Sequence, residues 1–108
     1  MTPSTPFEVQ QALRRVGADI KTARLRRRLS QLELAATAGV SPRTVRRLEA
    51  GDQGVALGSV VAVLWGLGLL PTLQAVADPD HDEHGKILER SRLPQRARQG
   101  APELDNNF

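Results

Sequence analysis

The chain has 108 residues, with fifteen Lys and Arg against twelve Asp and Glu, a formal net charge of +3, and no cysteine. That length suits one domain with a single modest core plus a tail, and the missing cysteine excludes disulfides and thiolate metal sites and fits a reducing cytoplasm. Positive charge is gathered in the first part: residues 1–77 carry ten basic against five acidic side chains, residues 78–108 five against seven. A basic first part is the footprint of a phosphate-binding surface. With one tryptophan, two phenylalanines and no tyrosine, Leu, Val, Ile and Ala must fill the interior. The first residues lack the basic-then-apolar pattern of a secretory signal, so a cytoplasmic location is expected.

Met1–Pro6, rich in Pro, Ser and Thr, reads as a disordered start (1–6), followed by an all-α domain over residues 7–77. Phe7 to Arg28 is helical in pattern, with Val9, Leu13, Val16, Ile20 and Leu25 near helical spacing. Gly17 predicts a kink or a break in that stretch. Arg24, Arg26, Arg27 and Arg28 cluster at its end, where positive charge complements the helix dipole. They read equally as a solvated face or as phosphate contacts, Arg28 among the latter.

Ser30 to Gly51 reads as two short helices joined by a tight turn. Ser30 is an N-cap candidate with Glu33 at capping-box spacing, and Leu32, Leu34, Ala35 and Ala38 supply the apolar side. Gly39 sits where the chain reverses. Ser41 is a second N-cap, and Pro42 takes the first helical position, where its missing amide hydrogen costs nothing. Val45 and Leu48 face inward while Arg43, Thr44, Arg46 and Arg47 point elsewhere. Gly51 ends the helix.

Val55 to Ala77 is a 23-residue run without a charge. About 20 apolar residues can cross a bilayer, but Pro71 breaks this run and Gly58, Ser59, Gly66, Gly68, Thr72 and Gln74 dilute it. Two packed helices are predicted instead, from about Leu57 to Leu67 and from about Pro71 to Ala77, with no membrane span. Trp65 is read as core or interface, with the core preferred, and surplus apolar surface is assigned to a homodimer interface built from the second of these helices and its neighbouring loop. Residues 78–108 read as an acidic linker and a partly disordered tail. His81 and His84 lie among Asp80, Asp82 and Glu83 without specific ligand spacing, so no metal is expected. Gly85 to Arg98 holds Ile87, Leu88 and Leu93 among charges, as a segment ordering on a partner or a solubilising tail. Leu104 and Phe108 are a weak docking point in a disordered end.

The motifs Leu29-Ser30-Gln31, Leu34-Ala35, Gly39-Val40-Ser41 and Leu48-Glu49-Ala50-Gly51 resemble the phage-repressor-like (XRE) helix-turn-helix family over roughly residues 16 to 77. The resemblance implies a compact five-helix DNA-binding domain in which Gln31 contacts the phosphate backbone and Pro42, Arg43, Thr44 and Arg47 approach base edges. Ser41, Arg46 and Arg28 complete the set of DNA-contact candidates, and Arg24 with Glu49 matches a structural ion pair. Pro42 departs from the polar residue usual at its position, so base reading shifts to Arg43 and Arg47. The tail and the Gly54–Ser59 segment are similar to HipB-type antitoxins. That similarity implies a homodimer on a palindromic double-stranded DNA operator, autoregulating its operon and neutralising a HipA-like kinase toxin; the alternative is a stand-alone homodimeric repressor. No phosphate loop or catalytic constellation is present in the sequence, so no cofactor and no enzyme activity are expected.

Overall fold

Helix boundaries follow the local chemistry of the chain. The computed structural model describes residues 5–92. Its elements run α1 (Phe7–Arg26), α2 (Gln31–Ala38), α3 (Pro42–Glu49), α4 (Leu57–Gly66), a 3-10 segment (Leu70–Ala75), a 3-10 turn (Pro79–His81) and α5 (Glu83–Arg92). No strand occurs among the described residues. The chain divides into two units between Gln74 and Ala75. The first holds residues 7–74 of the predicted all-α domain, and residues 75–77 fall in the second. Residues 1–4 of the start read as disordered, and Leu93 to Phe108 with the docking candidates Leu104 and Phe108, lie outside the described residues.

Polar caps open the short helices. At α2 the Ser30 hydroxyl accepts from the Glu33 amide at 3.0 Å, and the Glu33 carboxylate accepts from the Ser30 amide at 2.8 Å. This reciprocal box satisfies two donors that the helix itself cannot. At α3 the Ser41 hydroxyl accepts from the Thr44 amide at 3.1 Å, with Pro42 in the first position. Left-handed residues close the helices: Gly39 after α2, Gly51 after α3 and Gly68 after α4. After α3, the Gly51 amide donates to the Leu48 carbonyl and the Asp52 amide to the Arg47 carbonyl, both at 3.0 Å. That crossed pair of bonds is a Schellman motif. Arg28 plays the same part after α1 at φ 57°, where the Arg28 and Leu29 amides return to Leu25 and Arg24.

The core joins all four α-helices of this unit. Ile20 and Ala23 from α1, Leu34 and Ala35 from α2, Val45 and Leu48 from α3, and Val63 with Leu67 at the end of α4 are buried together. Leu29, Val40, Val55, Val60, Leu64 and Leu69 close its edges. α2 packs on both α3 and α4, while α1 packs on α3.

Four expectations change. Gly17 does not interrupt α1, which runs unbroken from Phe7 to Arg26. Its missing side chain serves packing: a Cβ there would lie 2.5 Å from the Leu48 carbonyl oxygen and 2.6 Å from that of Glu49. The helix end of α3 therefore sits directly on the α1 backbone. Trp65 is not core but 59% exposed, because Val63 and Leu67 point inward and α4 turns Trp65 outward. Leu32 is likewise 67% exposed, and Leu34 and Ala35 are the buried residues of α2. The predicted Pro71–Ala77 helix is a six-residue 3-10 segment over Leu70–Ala75, with Ala77 beyond it in the left-handed region. The uncharged run is thus split, and no helix among the described residues is long and apolar enough to cross a membrane.

In the second unit Asp78 caps the 3-10 turn, accepting from the Asp80 amide at 2.9 Å and pairing with His81 Nδ1 at 3.0 Å. Asp82 then accepts from the Gly85 amide at the start of α5, which leaves Ile87 and Leu88 exposed.

Gly17→Ala tests the backbone contact. Alanine gains about 1 kcal/mol of helix propensity over glycine. The clash with two fixed carbonyl groups outweighs it, so the variant should lose roughly 1–3 kcal/mol in urea unfolding. A stabilised variant would refute the close approach.

Candidate nucleic-acid interface

Glu49, the last residue of α3, occupies a position where the helix dipole disfavours a carboxylate. Three donors from two other helices offset that. Arg24 Nε donates to Glu49 Oε2 at 2.6 Å and Arg24 Nη2 to Oε1 at 3.0 Å, a two-pronged pairing, while Gln31 Nε2 donates to Oε1 at 3.0 Å. Arg24 Nη1 also donates to the Leu29 carbonyl at 2.9 Å in the α1–α2 turn. The Arg24 and Glu49 side chains are only 8% and 4% exposed. Burial alone would push the Glu49 carboxyl up. The hydrogen bonds from Arg24 and Gln31, with the charges of Arg24 and Lys21, outweigh it and hold the carboxyl below its usual value. Arg24 in turn is raised by its hydrogen bond to Glu49, against the opposing effect of burial. The network fixes α1, α2 and α3 in one mutual orientation.

The outer face of α3 is what that orientation presents. Val45 and Leu48 are buried, Arg43 and Arg46 are exposed, and Pro42, Thr44 and Arg47 are half-buried. The Thr44 hydroxyl lies 2.9 Å from the Ser41 hydroxyl, so both polar groups are already engaged at the helix start. Arg43 and Arg47 are one turn apart and share a face. Gln31, expected on phosphate, spends one amide hydrogen on Glu49, which ties its side chain at the start of α2 to the end of α3. Arg28 is exposed in the α1–α2 turn.

Arg47 carries a partner that the sequence reading left out. Its Nε donates to Asp52 Oδ2 at 2.9 Å and its Nη2 to Asp52 Oδ1 at 3.2 Å. The hydrogen bond and charge of Asp52 raise the Arg47 guanidinium. The Asp52 carboxyl is lowered, by Arg47 first and then by the Gly54 amide, which donates to Oδ1 at 2.6 Å; Arg43 adds a smaller charge effect. The signal was present in the chain. Asp52 lies two residues past the α3 cap and Arg47 three before it, positions that a Schellman motif brings together. An apolar contact usually joins them; here an ion pair does. Among the described residues no group of His, Asp and Glu could hold a metal ion.

Residues 20–64 match the family model described as Helix-turn-helix, the repressor-like family of DNA-binding regulators, and the match spans α2, the turn and α3. No curated protein matches the chain.

Arg24→Met should strand the buried Glu49 carboxylate and cost roughly 3–5 kcal/mol in urea unfolding, most of it recovered by adding Glu49→Leu. Because the Glu49 carboxyl is lowered in the fold, its contribution is fully present above the unfolded value near 4.5 and is lost as pH falls through the folded value. Stability should therefore fall below about pH 4.5, and Glu49→Gln should flatten that part of the profile.

Proposed function

Taking residues 20–64 as a helix-turn-helix reader, we propose that this protein is a sequence-specific DNA-binding transcriptional repressor that acts as a homodimer on a palindromic operator. One observation carries the reading. α3 buries Val45 and Leu48 while holding Arg43, Arg46 and Arg47 away from the core, on a helix locked by the Arg24–Glu49–Gln31 network. Two copies related by a two-fold axis would place their α3 helices in successive major grooves, about 34 Å apart. Arg28, Arg46, Gln31 and the amides at the start of α2 take phosphates and supply the salt-dependent part of the affinity. Arg43 and Arg47 read base edges, with Ser41, Pro42 and Thr44 against the groove. Leu57, Val61 and Trp65 recur every four residues along α4, and Leu57 and Trp65 are exposed, which supports α4 as the dimer face. Such work on DNA is cytoplasmic and needs no cofactor.

Arg43→Ala should weaken operator binding by roughly 5- to 150-fold at fixed salt, the equivalent of one good base contact. Binding to random-sequence DNA should fall much less. Equal losses on both duplexes in a fluorescence anisotropy titration would remove Arg43 as a base reader and leave it a phosphate contact.

A finer reading makes the protein an antitoxin that autoregulates its operon and neutralises a HipA-like kinase toxin. It is supported by the similarity of the Gly54–Ser59 segment and of the Ile87–Arg96 sequence to HipB-type antitoxins, and by the exposed Ile87 and Leu88 of α5. Tagged full-length protein recovered from its native host should carry a stoichiometric kinase-like partner, which Ile87→Asp with Leu88→Asp should release. Recovery of DNA and the protein alone would reduce the function to that of a stand-alone repressor.

A further inference from the structure

Arginine has five N–H donors in a rigid planar fork, with two usable edges. The side edge is formed by Nε and Nη2, the end edge by Nη1 and Nη2. In Arg47 the side edge is taken by Asp52, which receives both of its donors. The remaining three N–H groups have no partner among the described residues. Asp52 is itself held in place: its amide is bonded to the Arg47 carbonyl at 3.0 Å, and its Oδ1 accepts from the Gly54 amide. Gly54 leaves the room for this arrangement, since a Cβ there would stand 2.8 Å from Arg47 Nη2 and 3.1 Å from Asp52 Oδ1.

Stability does not explain the pair. Both side chains are more than one-third exposed, 40% for Arg47 and 37% for Asp52, and exposed ion pairs add little to folding. A role for Arg47 on phosphate does not explain it either. A guanidinium neutralised by an adjacent carboxylate adds almost nothing to counterion release, and Asp52 would itself face the phosphate charge. What the pair retains is direction: an immobilised guanidinium whose free end edge matches the two acceptors, O6 and N7, of a guanine in the major groove.

We propose that Asp52 is a positioning residue for base recognition, fixing Arg47 so that its end edge reads one guanine in each half-site. The inference rests on the DNA-reading function above and goes beyond it, assigning a role outside α3 to a residue that touches no base. Asp52 supplies specificity at the expense of general affinity, since its charge repels the DNA backbone.

The test is a binding selection from a random duplex library with the full-length protein, followed by affinity titrations at fixed salt. Wild type should select a site with a guanine in each half. Asp52→Asn keeps an acceptor for the Gly54 amide but removes the charge. It should lose at least five-fold of the discrimination at that guanine, keep the other preferences, and bind random-sequence DNA more tightly. Arg47→Ala should lose the same base preference, and the double variant should discriminate no less well than Arg47→Ala alone. Asp52→Ser, which also preserves an acceptor in the turn, serves if Asp52→Asn fails to fold by circular dichroism. A site selected by wild type whose guanine preference survives in the folded Asp52 variant overturns the positioning role while leaving DNA reading intact. An affinity change of equal size on every sequence does the same. Selection of no site at all by wild type overturns both.

Discussion

The orientation of the reading helix depends on how a single carboxylate is satisfied. Glu49 lies at the unfavourable end of α3, buried, and receives hydrogen bonds from Arg24 on α1 and Gln31 on α2. The same arginine reaches back to the Leu29 carbonyl in the turn between those two helices. A buried ion pair is weak evidence for stability, because desolvation offsets most of the attraction. What it supplies here is geometry. Only one mutual placement of α1, α2 and α3 satisfies all four hydrogen bonds, and the approach of α3 to the bare backbone at Gly17 makes that placement possible.

α3 ends in a second charged arrangement of opposite character. Arg47 and Asp52 stand near solvent and contribute little to folding, yet backbone and side-chain bonds both join them across Gly51. The two pairs divide the work of a short helix. Glu49 faces the protein and fixes where the helix lies. Arg47 stays partly exposed, with the orientation of its guanidinium set by the turn that follows. An eight-residue helix has too little buried surface to hold its own position, so anchoring from both sides of its C-terminal end replaces the packing a longer helix would use.

Much of this was legible in the chain. The capping box at Ser30, the N-cap and proline at Ser41-Pro42, and the left-handed glycines at Gly39 and Gly51 are local devices, each complete within four or five residues. They define α2 and α3 without reference to anything distant. The readings of Gly17, Leu32 and Trp65 missed for a common reason. A glycine inside a helical pattern looks like a defect until the neighbour that needs its space is known. Apolar residues on a short helix do not reveal which side the core will take. Arg47 and Asp52 fall between these cases: their positions around Gly51 were readable, but their pairing takes the place of the apolar contact usual there.

By itself, then, the sequence determined α2 and α3, their ends and the gathering of arginines around α3, because caps, turns and charge act over a few residues. Only the tertiary structure decided which arginines are free. Arg47 is directed by Asp52 and Arg43 and Arg46 stay exposed, whereas the pairing of Arg24 with Glu49 was already implied by the family resemblance. The physical reason is that a side chain's availability depends on partners brought within about 3 Å, and it is the folded turn through Gly51 that brings Asp52 that close to Arg47.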